Sequence, residues 1–395
     1  TALRSLYCSN NLLSELDLSE NKALGSIYCA FNQIVNLDVT HNPLLSILQC
    51  RKNKLSSLDI SKNPELWALY CESNQISDFN ASNNPALEIC YIRNNNITEL
   101  DLSKSIRLKE LDCSDNQIAT LLLINHPALA HLSCSNNKLA DLNLSNNTVL
   151  TSLYCYSNQL TALDLSYNLQ LTSVTCSGNE LTTLNLSKNM ALTWLNCDSN
   201  KLKELDVTKN MALTGFICST NQLKTVDVSQ NTALTEFKCG YNQLTDLDIS
   251  NNTALQTFQA QSNPNLTKIY VWQGFDKASD PEFKKDATAE YVVKGNDDDA
   301  TTYITFPDAT FKRYLISFGH VDKNQDGEIS VAEAKAVTEM NFYPEGHMYE
   351  SAQGIEYFIN LEVFKTNGYA SYGGYLGYLR ILNVSNNKLL RVLQC

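Results

Sequence analysis

The chain has 395 residues, a formal net charge of −12 and a sequence pI near 4.9. With 30 Lys and Arg against 42 Asp and Glu it offers no basic stripe for nucleic-acid phosphates or anionic lipid. No run of 18 apolar residues occurs, so nothing in it reads as a membrane-spanning segment.

What organises the chain is a repeat. Residues 150–170, LTSLYCYSNQLTALDLSYNLQ, carry Leu150, Leu153, Cys155, Asn158, Leu160, Leu163, Leu165 and Asn168 at places that recur every 21 residues, thirteen times between Leu3 and about Val271. A core assembled from distant segments would not require that, and the periodicity reads as a solenoid. Cysteine stands at 8, 29, 50, 71, 113, 134, 155, 176, 197, 218 and 239, with Ile92 and Ala260 in the two remaining places. Three residues after each comes an asparagine, from Asn11 to Asn263. The alternation L-x-C puts two apolar side chains on one face of a short strand, and stacked coils about 4.8 Å apart make one parallel sheet. The asparagine leaves the strand at a bend, where its amide can bond backbone groups of its own and the next coil. A second asparagine column runs from Asn21 to Asn252, broken at Ser105 and His126.

These columns spell the leucine-rich-repeat pattern over about two-thirds of the chain. With cysteine at a ladder place normally held by leucine, they resemble the J-type internalins and related leucine-rich surface proteins of bacteria. The resemblance implies an α/β-type leucine-rich-repeat solenoid, a right-handed horseshoe of mostly short parallel strands, that presents an extracellular recognition surface.

Ladder cysteines one strand apart aim in parallel into one core and do not offer the perpendicular dihedral of a disulfide, so buried free thiols are expected. Zinc is not, because no C-x-x-C or His-Cys cluster occurs.

In chain order, the array spans 1–265. Its first coil opens on strand without a cap, which reads as sequence missing upstream or as an edge covered by something else. The column between leucine and cysteine faces out of the sheet and is aromatic at Tyr7, Tyr28, Tyr70, Tyr91 and Tyr154, flanked by Phe31, Arg51, Trp67, Arg93, Tyr156 and Trp194. Such a column suits a binding face, because Tyr and Trp offer rigid area with a polar tip; Tyr also simply suits exposed strands. A second outward column is acidic, including Asp17, Asp38, Asp59, Asp101, Asp164 and Asp206, and is expected to bond turn amides and the next Ser or Thr rather than a ladder of calcium ions.

After Asn263 the frame dissolves, and 266–293 reads as a β-rich terminal cap. It resembles the closing segment of leucine-rich surface proteins from Gram-negative anaerobes. Residues 294–303 form an acidic linker.

Within a helical segment at 304–353, DKNQDGEISVAE fits the twelve-residue EF-hand calcium loop. Asp322, Asn324 and Asp326 supply side-chain oxygens, Gly327 the sharp turn, Glu328 its carbonyl, Ser330 a water-mediated place and Glu333 the bidentate closing carboxylate, while Ile329 anchors the loop to core. Helices are expected at Asp308–Phe318, burying Phe311, Leu315 and Phe318, and at Val331–Val337. With one loop and four Met in all, Ca2+ is expected as a structural clip rather than a sensor ion.

From Gly354 repeats restart: Leu361 and Phe364 take leucine places, Tyr369 replaces the asparagine, a Gly- and Tyr-rich insertion follows to Tyr378, and Leu379 to Cys395 fall in register. Residues 294–395 resemble the beginning of such surface proteins and 1–293 the remainder. Either the front half is numbered last, with Cys395 in the ladder of Cys8, or two tandem arrays are cut.

His41, His126, His131, His320 and His347 form no metal or triad spacing; His126 and His131 read as a solvated turn residue and an outward strand residue. The expected function is bacterial cell-surface recognition or adhesion, not catalysis. The partner is an extracellular protein or glycan bound on the concave face, with no nucleic acid. The chain is expected as a monomer, anchored to lipid or cell wall through a part outside this sequence. The alternative is a spacer that holds another domain away from the cell and binds nothing.

Overall fold

The computed structural model describes residues 3–294, 302–317, 321–342, 350–366 and 379–394, and the chain divides into two compact units, Thr1–Tyr291 and Val292–Cys395. Phe318, His320, His347, Tyr369, the Gly- and Tyr-rich insertion and Cys395 lie outside the described residues.

The first unit is a solenoid built on one 14-stranded parallel sheet. Each coil contributes about three residues of strand, and neighbours pair at the sequence period, as Ser152 does with His131 on one side and Ser173 on the other. The short alternation decides which side chains go in: Leu153 and Cys155 are fully buried, while Ser152 and Tyr154 face out. The twelve described cysteines are free thiols, all buried except half-buried Cys8. Cys90 lies off the cysteine column, in the leucine place opposite Leu111. Towards the end of the unit the leucine place fills with Phe216, Phe237 and Phe258, whose ring centroids lie 5.4 and 5.9 Å apart, the first pair stacked and the second tilted.

Two residues after each ladder position the backbone enters the left-handed region, from Asn10 at φ 60° to Ser262 at φ 60°, and only Gly178 among these residues is glycine. The asparagine that follows makes this turn tenable. Nδ2 of Asn158 donates to the carbonyls of Cys155 at 3.2 Å and Cys134 at 3.0 Å, and its Oδ1 accepts from the Leu139 amide at 3.0 Å. The inter-coil partner is thus the preceding coil, not the next one as the sequence suggested, because it is that coil's bend carbonyl that faces the amide. In the second column Asn168 donates to Leu144 and Asn147. Ser105 and His126 continue this column rather than break it: Ser105 Oγ donates to Asn84 O at 3.2 Å, and His126 Nε2 lies 3.1 Å from Leu102 O. His126 is 1% exposed, so it is a buried ladder residue and not a solvated turn residue.

The frame also continues beyond Asn263. Within the segment 266–293, Phe283–Lys284 adds a last strand to the main sheet with Phe283 opposite Phe258, and Lys268–Val271 pairs with Asp246–Asp248 and Glu290–Val293 in a smaller sheet.

The second unit packs around Ile304, Phe311, Leu315, Ile329, Met340 and Phe364. Helix α1, Ala309–Ser317, starts where Asp308 Oδ1 accepts from the Thr310 and Phe311 amides, and Asp308 Oδ2 accepts from Glu350 and Ser351, tying the helix to the next segment. Helix α2, Val331–Lys335, is shorter than its expected range and begins on a capping box in which Ser330 and Glu333 bond each other's backbone. Parallel strands Glu339–Phe342, Val363–Thr366 and Val392–Gln394 follow. The first falls inside the range read as helical, 304–353, so repeat-like pairing begins before Gly354. It pairs with the second at an offset of 24 residues, and the second with the third at 29, instead of 21, which is why the period did not show it.

Candidate functional site

The outward face of the long sheet is built by the same alternation that buries leucine and cysteine. Tyr7 and Tyr28, on adjacent strands, stack with ring centroids 4.6 Å apart and planes 4° from parallel. Tyr70 and Tyr91 meet edge to face at 5.3 Å. At the bend beside this face, the guanidinium of Arg51 and the ammonium of Lys52 sit over the Phe31 ring at 5.5 and 4.8 Å. Arg93 pairs with Asp115 at 2.7 Å. Trp67 and Tyr154 are 38% and 39% exposed, which leaves ring area for a partner. Tyr156 is half-buried beside Cys155. Trp194 stands apart from the tyrosines, laid over the glycine of the next coil, Gly215.

The structure adds to this face a hollow that sequence reasoning did not assemble, although His131 faces outward from its strand as the sequence suggested. A hollow of about 380 Å³ is lined by Tyr91, Glu110, Asp112, His131, Ser152 and Tyr154. Tyr91 Oη donates to Glu110 at 2.5 Å, and burial together with that carboxylate pushes the phenol well above its usual range. His131 Nδ1 is 3.3 Å from Ser152 Oγ. Burial likewise raises the Glu72 carboxyl, whose Oε2 is enclosed without a hydrogen-bond partner. Glu110, His131 and Ser152 hold the column two residues before the tyrosines; alternation puts both columns on one face, and that was the available signal.

The acidic column does what turn chemistry asks of it. Asp17, Asp38, Asp59, Asp101, Asp164 and Asp206 each accept from the amide two residues on, and Asn80, Asn143 and Asn185 make the same bond. Hydrogen bonds from the backbone and hydroxyl of that Ser or Thr hold the six carboxyls below the ordinary carboxylate value.

In the loop Asp322–Glu333 the ligand-type oxygens are folded onto the loop's own amides. Asp322 accepts from Gln325 and Gly327, Asn324 Oδ1 from Asp326, and Asp326 Oδ1 from Glu328. Glu333 reaches across to the Lys323 and Asn324 amides with one oxygen and to Ser330 with the other. Gly327 has φ +81°, as the turn requires, and Ile329 is fully buried. Among the described residues no three His, Cys, Asp or Glu side chains converge on one point. The donor set, all oxygen and including two Asp and a closing Glu, is chemically suited to a hard divalent cation. Among the described residues no helix is long and apolar enough to cross a membrane.

No family model matches the chain, and no curated protein does. Solved structures do. The functional domain of InlJ from Listeria monocytogenes, described as including a cysteine ladder, is 30% identical over 72% of this chain and 73% of its own, with a TM-score of 0.63. A leucine-rich-repeat protein of Leptospira interrogans is 19% identical over 72% and 84%, with a TM-score of 0.61. The Listeria monocytogenes internalin InlF is 21% identical over 66% and 83%, with a TM-score of 0.54. The 21-residue coil, the buried cysteine column and the likeness to InlJ agree, and the chain belongs to the internalin-like leucine-rich-repeat proteins with a cysteine ladder.

Proposed function

We propose that this chain is a bacterial surface recognition module that binds an extracellular protein through the outward face of its long sheet, with one structural calcium ion in the loop Asp322–Glu333. The observation that carries the reading is the two tyrosine pairs, Tyr7 stacked on Tyr28 and Tyr70 edge-to-face with Tyr91, each pair on adjacent strands and the face bordered by Arg51, Arg93 and a carboxylate-lined hollow. Tyr and Arg anchors of this kind carry most of the energy in protein interfaces. Attachment to lipid or cell wall belongs to the same reading, and no catalytic step does.

The test is binding of the full chain, in calcium, to arrays of extracellular proteins and glycans, beside a Tyr28, Tyr70, Tyr91 triple alanine variant. A protein hit lost in the variant supports the proposal. A glycan hit lost in the variant keeps the face and changes the partner. No hit, or one the variant retains, leaves a spacer that binds nothing on this face.

A further inference from the structure

A single calcium loop has one exposed strand-like edge, and unpaired edges of that kind invite pairing with another chain. Here the edge is already covered from within the same unit. Ile304 donates its amide to Ile329 O at 2.8 Å, and Val331 donates to Thr302 O at 2.9 Å, so Tyr303 and Ser330 face each other in an antiparallel bridge. Ile304, 3% exposed, packs in one core with Ile329, which is fully buried. From the same three residues Tyr303 Oη donates to Asp326 Oδ2 at 2.8 Å, while Asp326 Oδ1 accepts from the Glu328 amide at 2.8 Å. Thr302 and Tyr303, at the end of the stretch read from sequence as linker, are therefore part of the loop's architecture.

We infer that Thr302–Ile304 is the built-in partner of the calcium loop, occupying the edge that a second hand would otherwise pair, and that Tyr303 positions the Asp326 carboxylate for the ion. This rests on the calcium reading of the loop. Three donors hold Asp326, the Glu328 backbone on Oδ1 and the Tyr303 ring together with Asn324 Nδ2 on Oδ2, so the carboxylate plane is fixed before an ion arrives. Removing the phenol oxygen leaves Oδ2 with Asn324 Nδ2 alone, which loosens the plane that binding must then order. Because the edge is satisfied internally, calcium has no reason to bring two copies of the loop together.

The experiment uses the full chain. Calcium titration calorimetry is run on the wild type, on Tyr303→Phe and on Tyr357→Phe, a control at a tyrosine 45% exposed elsewhere in the unit. Melting in chelator verifies that each variant is folded. Sedimentation, with and without calcium, follows the mass. Hydrogen exchange follows the Ile304 and Val331 amides. Expected are one ion at the loop, affinity weakened about three- to ten-fold in Tyr303→Phe, the size of a typical net hydrogen bond, and no change in Tyr357→Phe. The mass should be indifferent to calcium and the two amides slow to exchange in the loaded chain. Wild-type affinity in Tyr303→Phe, fast exchange at both amides, or calcium-driven dimers would overturn the inference. A wild type that takes up no calcium brings down the calcium reading itself, and this inference with it.

Discussion

A Cβ placed on Gly215 would stand 2.3 Å from both Cε3 and Cζ3 of Trp194, so the indole of one coil occupies the side-chain space of the next. Gly215 is buried and lies directly opposite Trp194 in the sheet. Gly215→Ala must therefore push the indole outward or spread the strands. The expected cost is about 1 kcal/mol, the low end for overpacking because the ring has solvent on one side. Trp194 emission should shift to the red as the ring enters water. Unchanged emission and melting would show that the ring has another place to go.

The two asparagine columns are unequal. Asn158→Ala strands the Leu139 amide, while the Cys155 and Cys134 carbonyls still accept from Asn179 and Asn137; Asn168→Ala strands no backbone group, since the Leu144 and Asn147 carbonyls still accept from the Asn147 and Leu150 amides and Asn168 Oδ1 is buried without a donor. Each orphaned buried group costs about 1–3 kcal/mol before relaxation. Denaturant melts should place Asn158→Ala about 1 kcal/mol or more below Asn168→Ala. The reverse order would mean that bend carbonyls, not the amide, dominate.

The left-handed turn position offers a test of strain. Thr220 sits at φ 51° with a β-branched side chain, and Gly178 holds the same place at φ 62°. Thr220→Gly is expected to raise stability by about 0.5 kcal/mol, the strain relieved being partly offset by a more flexible unfolded chain. Gly178→Thr is expected to lower it by about 1–2 kcal/mol, with its Cβ also 3.3 Å from Ser157 Oγ. Equal stability in all three proteins would show that the coil-to-coil bonds erase the residue preference.

What was legible in the sequence followed from strict periodicity. Thirteen asparagines at one spacing fix the bend, and the bend fixes which neighbours point inward. Where an insertion changes the spacing, the pattern falls silent although the physics does not. Phe283 completes the phenylalanine row from a strand 25 residues after Phe258, and Met340 lines up with Phe364 from within a stretch read as helix. The binding face was half legible for a related reason. The tyrosines announce themselves by type, while Glu110, His131 and Ser152 are unremarkable singly and form a hollow with them only when four coils are stacked.

The acidic column gives stability a direction in pH. Carboxyls held below their ordinary value contribute fully above the unfolded value near 4 and lose that contribution as pH falls through the folded value. These groups are nearly all exposed, so each contributes little, but six act together. Melting temperature should fall with pH only below about pH 4. Replacing Asp38 and Asp206 by Asn, as nature has done at Asn80, Asn143 and Asn185, should leave neutral stability almost unchanged and weaken the acid dependence. A large loss at neutral pH would point to a role for the charge that the turn bond does not explain.

The thiols provide a graded probe of how the solenoid opens. Burial pushes the Cys29 and Cys176 thiols up to about 12 and holds Cys155 well above its ordinary value, so the reactive thiolate is scarce as well as enclosed. Cys8 is half-buried on the first coil and rises less, by burial alone. Timed alkylation followed by peptide mass spectrometry should therefore modify Cys8 first under native conditions. Cys134, Cys155 and Cys176 should remain untouched until denaturant unfolds the array. If the interior thiols label at intermediate denaturant one coil after another from the Cys8 side, opening propagates along the axis, as nearest-neighbour coupling of repeats allows. If they label together, the 14-stranded sheet opens as one cooperative unit. Native-state labelling of Cys155 at the rate of Cys8 would contradict the closed core.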